Sequence, residues 1–430
     1  MTIPHPDSSG SPSPRPVAAP SASDLGPAAG LSPAQRQSVR VVLRSPRLLW
    51  TETMAGLITS LALIPEVLAF SILAGVDPAV GLFTSVIMAI TSAVVGGRPA
   101  MVTAAAGAVA LVTAPLVRSH GQEYLVAAVL LGGLIQIGLG FAGVSRLMRF
   151  VSPAVMRGFV NSLAILMAAA QLPEVIGVPW AVYPVAALGL ILVIVMPRLT
   201  RAVPAPFAAI VVCTGLVWAL GWQVPEVGDK GKMPTALPLP GLPDVPLDAA
   251  ALGAVAPYAV AIALVGIVES LMTQRLVDSL TQTESNAPRE VRGQGIANIA
   301  AGLFGGMGGC AMIGQTMMNV KTGGGRSRVS AAMAGLWLLG LVMLLSPVVA
   351  HIPMAVLVAV MLYISATTFD WGSVAPASLR RIPWTETLVM LVTVAIVVPT
   401  HNLAAGVVVG AALGWALARR RGRRGERFAP

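Results

Sequence analysis

From residue 51 to residue 418 the chain strings together uncharged apolar runs, most of about 18 residues or more, separated by short polar breaks. An α-helix of that length crosses the hydrocarbon core of a bilayer, where every backbone N–H and C=O must find a partner inside the protein. With 56% hydrophobic and only 11% charged residues, the sequence has no charged shell to solvate a soluble core. The fold class is an all-α polytopic membrane protein.

Fourteen spans can be delimited: 51–73, 78–95, 100–117, 124–142, 152–172, 182–196, 204–222, 250–276, 290–305, 309–320, 329–347, 353–367, 384–399 and 402–418. The longest polar insertion, "QVPEVGDKGKMPTALPLPGLPDVP" at residues 223–246, divides them seven and seven. An odd number per half turns the second half over relative to the first, which is the plan of an inverted-repeat transporter. With the N-terminus inside, every Lys and Arg except Arg118, Lys230 and Lys232 falls on the cytoplasmic side, as the positive-inside rule requires.

The expected organisation is a disordered cytoplasmic tail over residues 1–45, rich in Pro, Ser and Ala, then a first inverted repeat over 46–222. An extracytoplasmic Pro-rich loop follows at 223–247, a second repeat at 248–418, and a basic cytoplasmic tail, "RRRGRRGERFAP", at 419–430. The tail's cluster should sit at an anionic leaflet of the cell (inner or plasma) membrane, with both termini cytoplasmic.

Several function classes fall away. Cys213 and Cys310 lie in separate apolar runs, with neither a disulfide framework nor zinc spacing. The net charge of +10 comes from basic residues flanking hydrophobic segments, so no nucleic-acid partner is expected. Nothing resembles a P-loop, a nucleophile elbow or a metal-hydrolase motif, so no enzyme and no cofactor are expected.

Two glycine pairs interrupt the spans at matching places. Gly96 and Gly97 lead into "RPAMVTAAAG" after the second span of one half, and Gly305 and Gly306 into "MGGCAMIGQT" after the second span of the other. Extended backbone at membrane depth survives only where protein or a water-filled cavity surrounds it. A helix that starts there offers up to four free N–H groups and roughly half a positive charge. Starts around Thr103 to Gly107 and Ala311 to Gln315 would together make an anion site without a lysine. The same small residues also suit close helix packing with no ligand at all.

Two acids lie inside spans: Glu66 in "LALIPEVLAF" and Glu269 in "ALVGIVESLMTQ". A carboxylate at a helix centre costs around 3 kcal/mol on the insertion scale, so each must face a polar interior, carry a proton or hold a cation. Glu269 and Thr273, at i and i+4, share a helical face that Gly266 extends, a pair suited to a sodium ion or a proton. Arg157 and Asn161 read as residues that snorkel or stitch helices, Asn298 and Asn319 as cross-links, and His120, His351 and His401 as span-end residues.

At these residues the sequence resembles the SulP family of inorganic anion transporters, the sulfate permeases. The matching stretches are "ALIPEVLAFSILAGVDPAVGLFTS" from Ala62, "GGRPAMVTAAAGAVAL" from Gly96, "RFVSPAVMRGFVNSLAIL" from Arg149 and "ESLMTQRLVDSLTQTESNAPREVRGQGIANIAAGLFGG" from Glu269. The resemblance, over about residues 45–418, implies seven plus seven inverted helices in core and gate domains, with an anion held between half-helices in spans 3 and 10. It implies a substrate site at Glu66, Phe70, Thr103, Ala104, Ala105, Ala106, Gly107, Ala311, Met312 and Ile313. It implies a coupling-ion site at Glu269, Thr273 and Ala311. In a bicarbonate-carrying branch of the family, sodium is held by an acid and a threonine spaced as Glu269 and Thr273 are here. That branch's span 10 reads Gly-Ala-Thr where this chain has Ala311, Met312 and Ile313, which leaves proton coupling open. Most members carry a cytoplasmic STAS domain, which is not visible in this sequence, and a homodimer is compatible with the family.

The expected function is secondary active transport of sulfate or bicarbonate, coupled to sodium or protons. The alternatives are an uncoupled channel or exchanger, or a dicarboxylate or nucleobase symporter of the same fold.

Overall fold

The computed structural model describes residues 32–144, 152–199, 203–233, 236–246, 248–375, 383–400 and 403–423. The chain opens with two short helices, α1 (Pro33–Gln37) and α2 (Val39–Arg44). Disorder was expected through residue 45, yet Ser32 and Gln35 form a capping box, Val42 is buried, and Gln37 Nε2 donates to Thr283 Oγ1 at 2.6 Å. Those contacts hold residues 33–44 against the helical body, while residues 1–31 of the expected tail lie outside the described residues.

The first half continues with α3 (Pro46–Ala74), α4 (Pro78–Val95), strand β1 (Thr103–Ala105), α5 (Gly107–His120), α6 (Gln122–Phe141), α7 (Pro153–Ala169), α8 (Val182–Leu199) and α9 (Ala205–Leu220). The second half has α10 (Ala249–Thr281), α11 (Ala287–Leu303), strand β2 (Gly309–Ala311), α12 (Ile313–Met317), α13 (Arg328–Ala350), α14 (Met354–Thr368), a short α15 (Trp371–Val374), α16 (Trp384–Thr400) and α17 (Leu403–Arg423). Each of the fourteen apolar stretches overlaps one of these helices. Among the described residues seven helical segments are both long and apolar enough to cross a membrane, and four more are shorter apolar helices. The span expected at 309–320 is instead β2, the five-residue α12 and a π-turn at Met318–Thr322. The basic tail expected from residue 419 begins as the last turn of α17, and residues 424–430 lie outside the description.

Local chemistry marks the ends. Ser45, Ser152, Asp248, Asn286 and Ser327 accept from backbone amides at the starts of α3, α7, α10, α11 and α13. Pro46, Pro78 and Pro153 open helices where a missing N–H costs nothing.

The helices form two groups. In one, α3 packs on α13 and α10 on α6, while α4 packs on α13 and α11 on α6. In the other, α7 packs on α16 and α14 on α8, with α9 beside α8 and α17 beside α16. The pattern repeats when each element of the first half is exchanged for the element of the same order in the second. Contacts of α3 and α5 with α7, α9 and α14 join the two groups.

Candidate functional site

The backbone breaks at Gly96 and Gly305 lead into the middle of the first group, where β1 and β2 pair antiparallel: Thr103 with Ala311, Ala104 with Cys310, Ala105 with Gly309. These six residues are fully or almost fully buried, and their polar groups are met from all sides. Ala105 N donates to Ser85 Oγ at 3.1 Å, Ala311 N to Ser270 Oγ at 3.1 Å, and Val102 N to Thr316 Oγ1 at 3.1 Å. Asn298 clasps Gly309, accepting from its N–H at 2.9 Å and donating to its carbonyl at 3.1 Å. Glu290 accepts from the amides of Gly97 and Arg98 at 2.7 and 3.0 Å, and Gln294 joins Glu290 to the Thr103 hydroxyl. The approach to β1 is further fixed by the Arg98–Asp278 ion pair at 3.2 Å.

This ribbon corrects one expectation. Thr103, Ala104 and Ala105 do not start a half-helix, because their backbone is used in strand pairing; Ala106 is the cap and Gly107 the first helical residue. Ala311 is likewise a strand residue, its amide on Ser270 and its carbonyl on the Thr273 hydroxyl at 3.0 Å. Met312 caps α12, which starts at Ile313.

Both helix starts face one cavity of about 500 Å³. It lies between the two helix groups, walled by Phe159 and Leu163 of α7 and Tyr363 of α14 on one side and by α3, α5, α10 and α12 on the other. In α5 the first helical bond runs from Ala110 N to Ala106 O, and in α12 from Thr316 N to Met312 O. The amides ahead of them are the orphan donors of a helix N-terminus. Gly107 has no Cβ because the Phe70 ring occupies the place, 2.7 Å from where the Cβ would stand.

Of the residues expected at the site, Glu66, Phe70, Gly107, Glu269, Met312 and Ile313 line this cavity. Thr103, Ala104, Ala105, Ala106, Ala311 and Thr273 do not. Thr273 is fully buried, its hydroxyl between the carbonyls of Glu269 and Ala311, so it stands behind the cavity wall rather than beside the Glu269 carboxylate. Glu66 and Glu269 are half-buried; Glu66 has no side-chain partner among the described residues, whereas Glu269 Oε2 accepts from the Cys310 thiol at 3.0 Å. Among the described residues the lining contains no Arg, Lys or His.

Two participants had no side-chain role assigned from the sequence. Gln315, 1% exposed, lines the cavity with an Nε2 that has no hydrogen-bond partner among the described residues. The signal was there in "MIGQTMM", where one amide follows an apolar helix start. Cys310 reads as a buried apolar residue until β2 brings it to Glu269. Elsewhere Asn161 stitches α7 to the α15 region through Ser373 and Asp370 N, with Arg157 near Asp370 and Glu386. His351 pairs with Glu226, His120 with Ser119 and the Tyr124 ring, and His401 lies outside the described residues.

A second cavity, of about 590 Å³, lies along the same interface, lined by Ile72 and Leu73 of α3, Leu111 and Arg118 of α5, Leu166 and Gln171 at the end of α7, and Met354 of α14. The two cavities draw on successive turns of the same four helices.

Known proteins share this sequence and fold. The sulfate permease family matches residues 49–188 and 178–393. The putative sulfate transporter YbaR of Bacillus subtilis is 49% identical over 362 residues, covering 84% of this chain and 75% of the relative. The bicarbonate transporter BicA of Synechocystis is 26% identical over 329 residues, covering 68% of this chain and 56% of that one. In three dimensions the chain is similar to the transmembrane domain of a cyanobacterial BicA, with a TM-score of 0.73 at 24% identity over 86% of this chain and 98% of the other. It is also similar to murine Slc26a9, an anion transporter in its inward-facing state, at 0.73 and 18% identity over 86% and 68%. Interrupted apolar helices around a buried ribbon, matched along most of their length by named transporters rather than enzymes, lead to one assignment: the chain belongs to the sulfate permease family.

Proposed function

We propose that the protein is a secondary active transporter of an inorganic anion, sulfate or bicarbonate, that carries it together with protons by alternating access across the cell membrane. The observation that supports this is the cavity itself: among the described residues its lining has two carboxylates, two helix N-termini, one unpartnered amide and no basic side chain. An ionised carboxylate about 5 Å from an anion repels it by about 3 kcal/mol at an effective dielectric constant near 20. A helix N-terminus returns about 0.3–2 kcal/mol. The anion is therefore held better once Glu66 and Glu269 are neutral, and proton and anion occupancy favour each other, which is the thermodynamic core of symport.

Sodium would neutralise the acids too, but the donors fit it poorly. Thr273 is turned to backbone carbonyls, a thiol sits on Glu269, and Met312 and Ile313 present apolar side chains. Hard cations want several oxygen ligands.

In this reading Gln315 Nε2 and the amides opening α5 and α12 meet the anion. The repeated packing pattern supports two inverted halves, 46–222 and 248–418, with both termini cytoplasmic. The two stacked cavities support rocking of the ribbon-bearing core past the gate helices α7–α9, α14, α16 and α17. Uptake of labelled sulfate and bicarbonate into proteoliposomes, with proton and sodium gradients imposed separately, tests it. An inward proton gradient drives accumulation and a sodium gradient does not. Flux indifferent to both gradients overturns the coupling.

A further inference from the structure

The first described helices carry a surface that transport does not use. Val39, Leu43 and Trp50 are exposed over 36%, 60% and 66% of their area, and Arg40, Arg44 and Arg47 are exposed beside them. None of the three guanidinium groups has an ion-pair or hydrogen-bond partner among the described residues.

An α-helix turns by about 100° per residue. Going round α2 from buried Val42, one meets Val39 at about 60°, Leu43 at about 100°, Arg40 at about 160° and Arg44 at about 200°. The faces thus run in order from protein to apolar to basic. Arg47 and Trp50, three residues apart on the first turns of α3 and so neighbours on one helical face, place a further exposed guanidinium beside a further exposed apolar ring. Val42 and the Gln37–Thr283 hydrogen bond fasten the segment at the foot of a long apolar helix.

A helix lying on a bilayer needs that sequence of faces: one side on the protein, the next in the acyl chains, the next among the headgroups. Guanidinium groups match phosphate oxygens by paired N–H donors. We propose that residues 39–50 form a docking site for anionic phospholipids, with Val39, Leu43 and Trp50 in the acyl region and Arg40, Arg44 and Arg47 on the headgroup phosphates. Three positive charges without a partner among the described residues, beside an apolar stripe, favour a lipid of net negative charge over a zwitterionic one.

The test uses the full chain in lipid nanodiscs, titrated with spin-labelled phosphatidylglycerol and phosphatidylcholine. The preference for phosphatidylglycerol falls roughly fivefold for each arginine removed in the series Arg40→Gln, Arg44→Gln and Arg47→Gln. An unchanged preference in the triple variant overturns the proposal. A fluorophore on Leu43→Cys gives a second reading that does not depend on the arginine variants folding, because Cys213 and Cys310 are buried and stay unlabelled. Quenching by lipid-borne nitroxide and not by aqueous iodide is expected. The reverse, or protection from both by another protein segment, overturns it.

Discussion

At Gly107 a single methyl group decides whether the cavity keeps its wall. A Cβ there would meet Phe70 Cε1 at 2.7 Å, so Gly107→Ala should displace the ring from the mouth of α5 and abolish anion uptake while the protein still elutes as a folded species in size-exclusion chromatography. Gln315 offers a subtler test. A hydrogen bond to a charged group contributes about 1.5–3 kcal/mol, so Gln315→Leu should raise the apparent KM for the anion about tenfold or more in initial-rate uptake. Glu269→Gln should remove proton-driven accumulation while leaving anion binding measurable by calorimetry. At this scale the sequence was half legible. An acid inside an apolar run announces itself, as Glu66 and Glu269 do, because nothing else in lipid explains its cost. Cys310 and Gln315 gave no such sign: a thiol costs little to bury, and one amide in a half-helix means something only once its orphan Nε2 is seen to face a cavity.

Among the elements, the ribbon is held by side chains from helices that are remote in sequence. Asn298 alone satisfies the N–H and carbonyl of Gly309 and reaches Gln136 at 2.9 Å. Each buried group left without a partner costs about 1–3 kcal/mol. Asn298→Ala should therefore destabilise the core by several kcal/mol, read as a large fall in melting temperature in detergent, with activity lost in step with folded fraction. The long helices were legible from length and apolarity, and so was the position of both breaks, since Gly96 and Gly305 interrupt runs that otherwise continue. The strands were not. "TAAAG" carries no strand preference, and only a partner some 200 residues away makes Thr103–Ala105 extended. That is why a helix start was expected four residues too early in the first half and two too early in the second, and why the free amides fall at Gly107 and Ile313 instead.

For the whole molecule, two cavities on one interface give the proposed alternating access a measurable form. A cysteine at Tyr363, in the first cavity, and one at Leu111, in the second, should react with a membrane-impermeant thiol reagent from opposite sides. Saturating anion should shift their rates in opposite directions. Equal rates from one side for both would contradict it. The ribbon has a further consequence, for the order in which the chain is made. Its two strands belong to opposite halves of the polypeptide, 311 − 103 = 208 residues apart at the first pair. At synthesis rates of about 5–20 residues per second, β1 enters the membrane about 10–40 seconds before β2 exists. Throughout that interval its amides and carbonyls need water or another protein as a substitute partner, because hydrocarbon supplies none. The first half is therefore an unfinished object on the ribosome, and a chain truncated before residue 309 should be degraded rather than accumulate in the bilayer, as a pulse-chase comparison with the full chain would show.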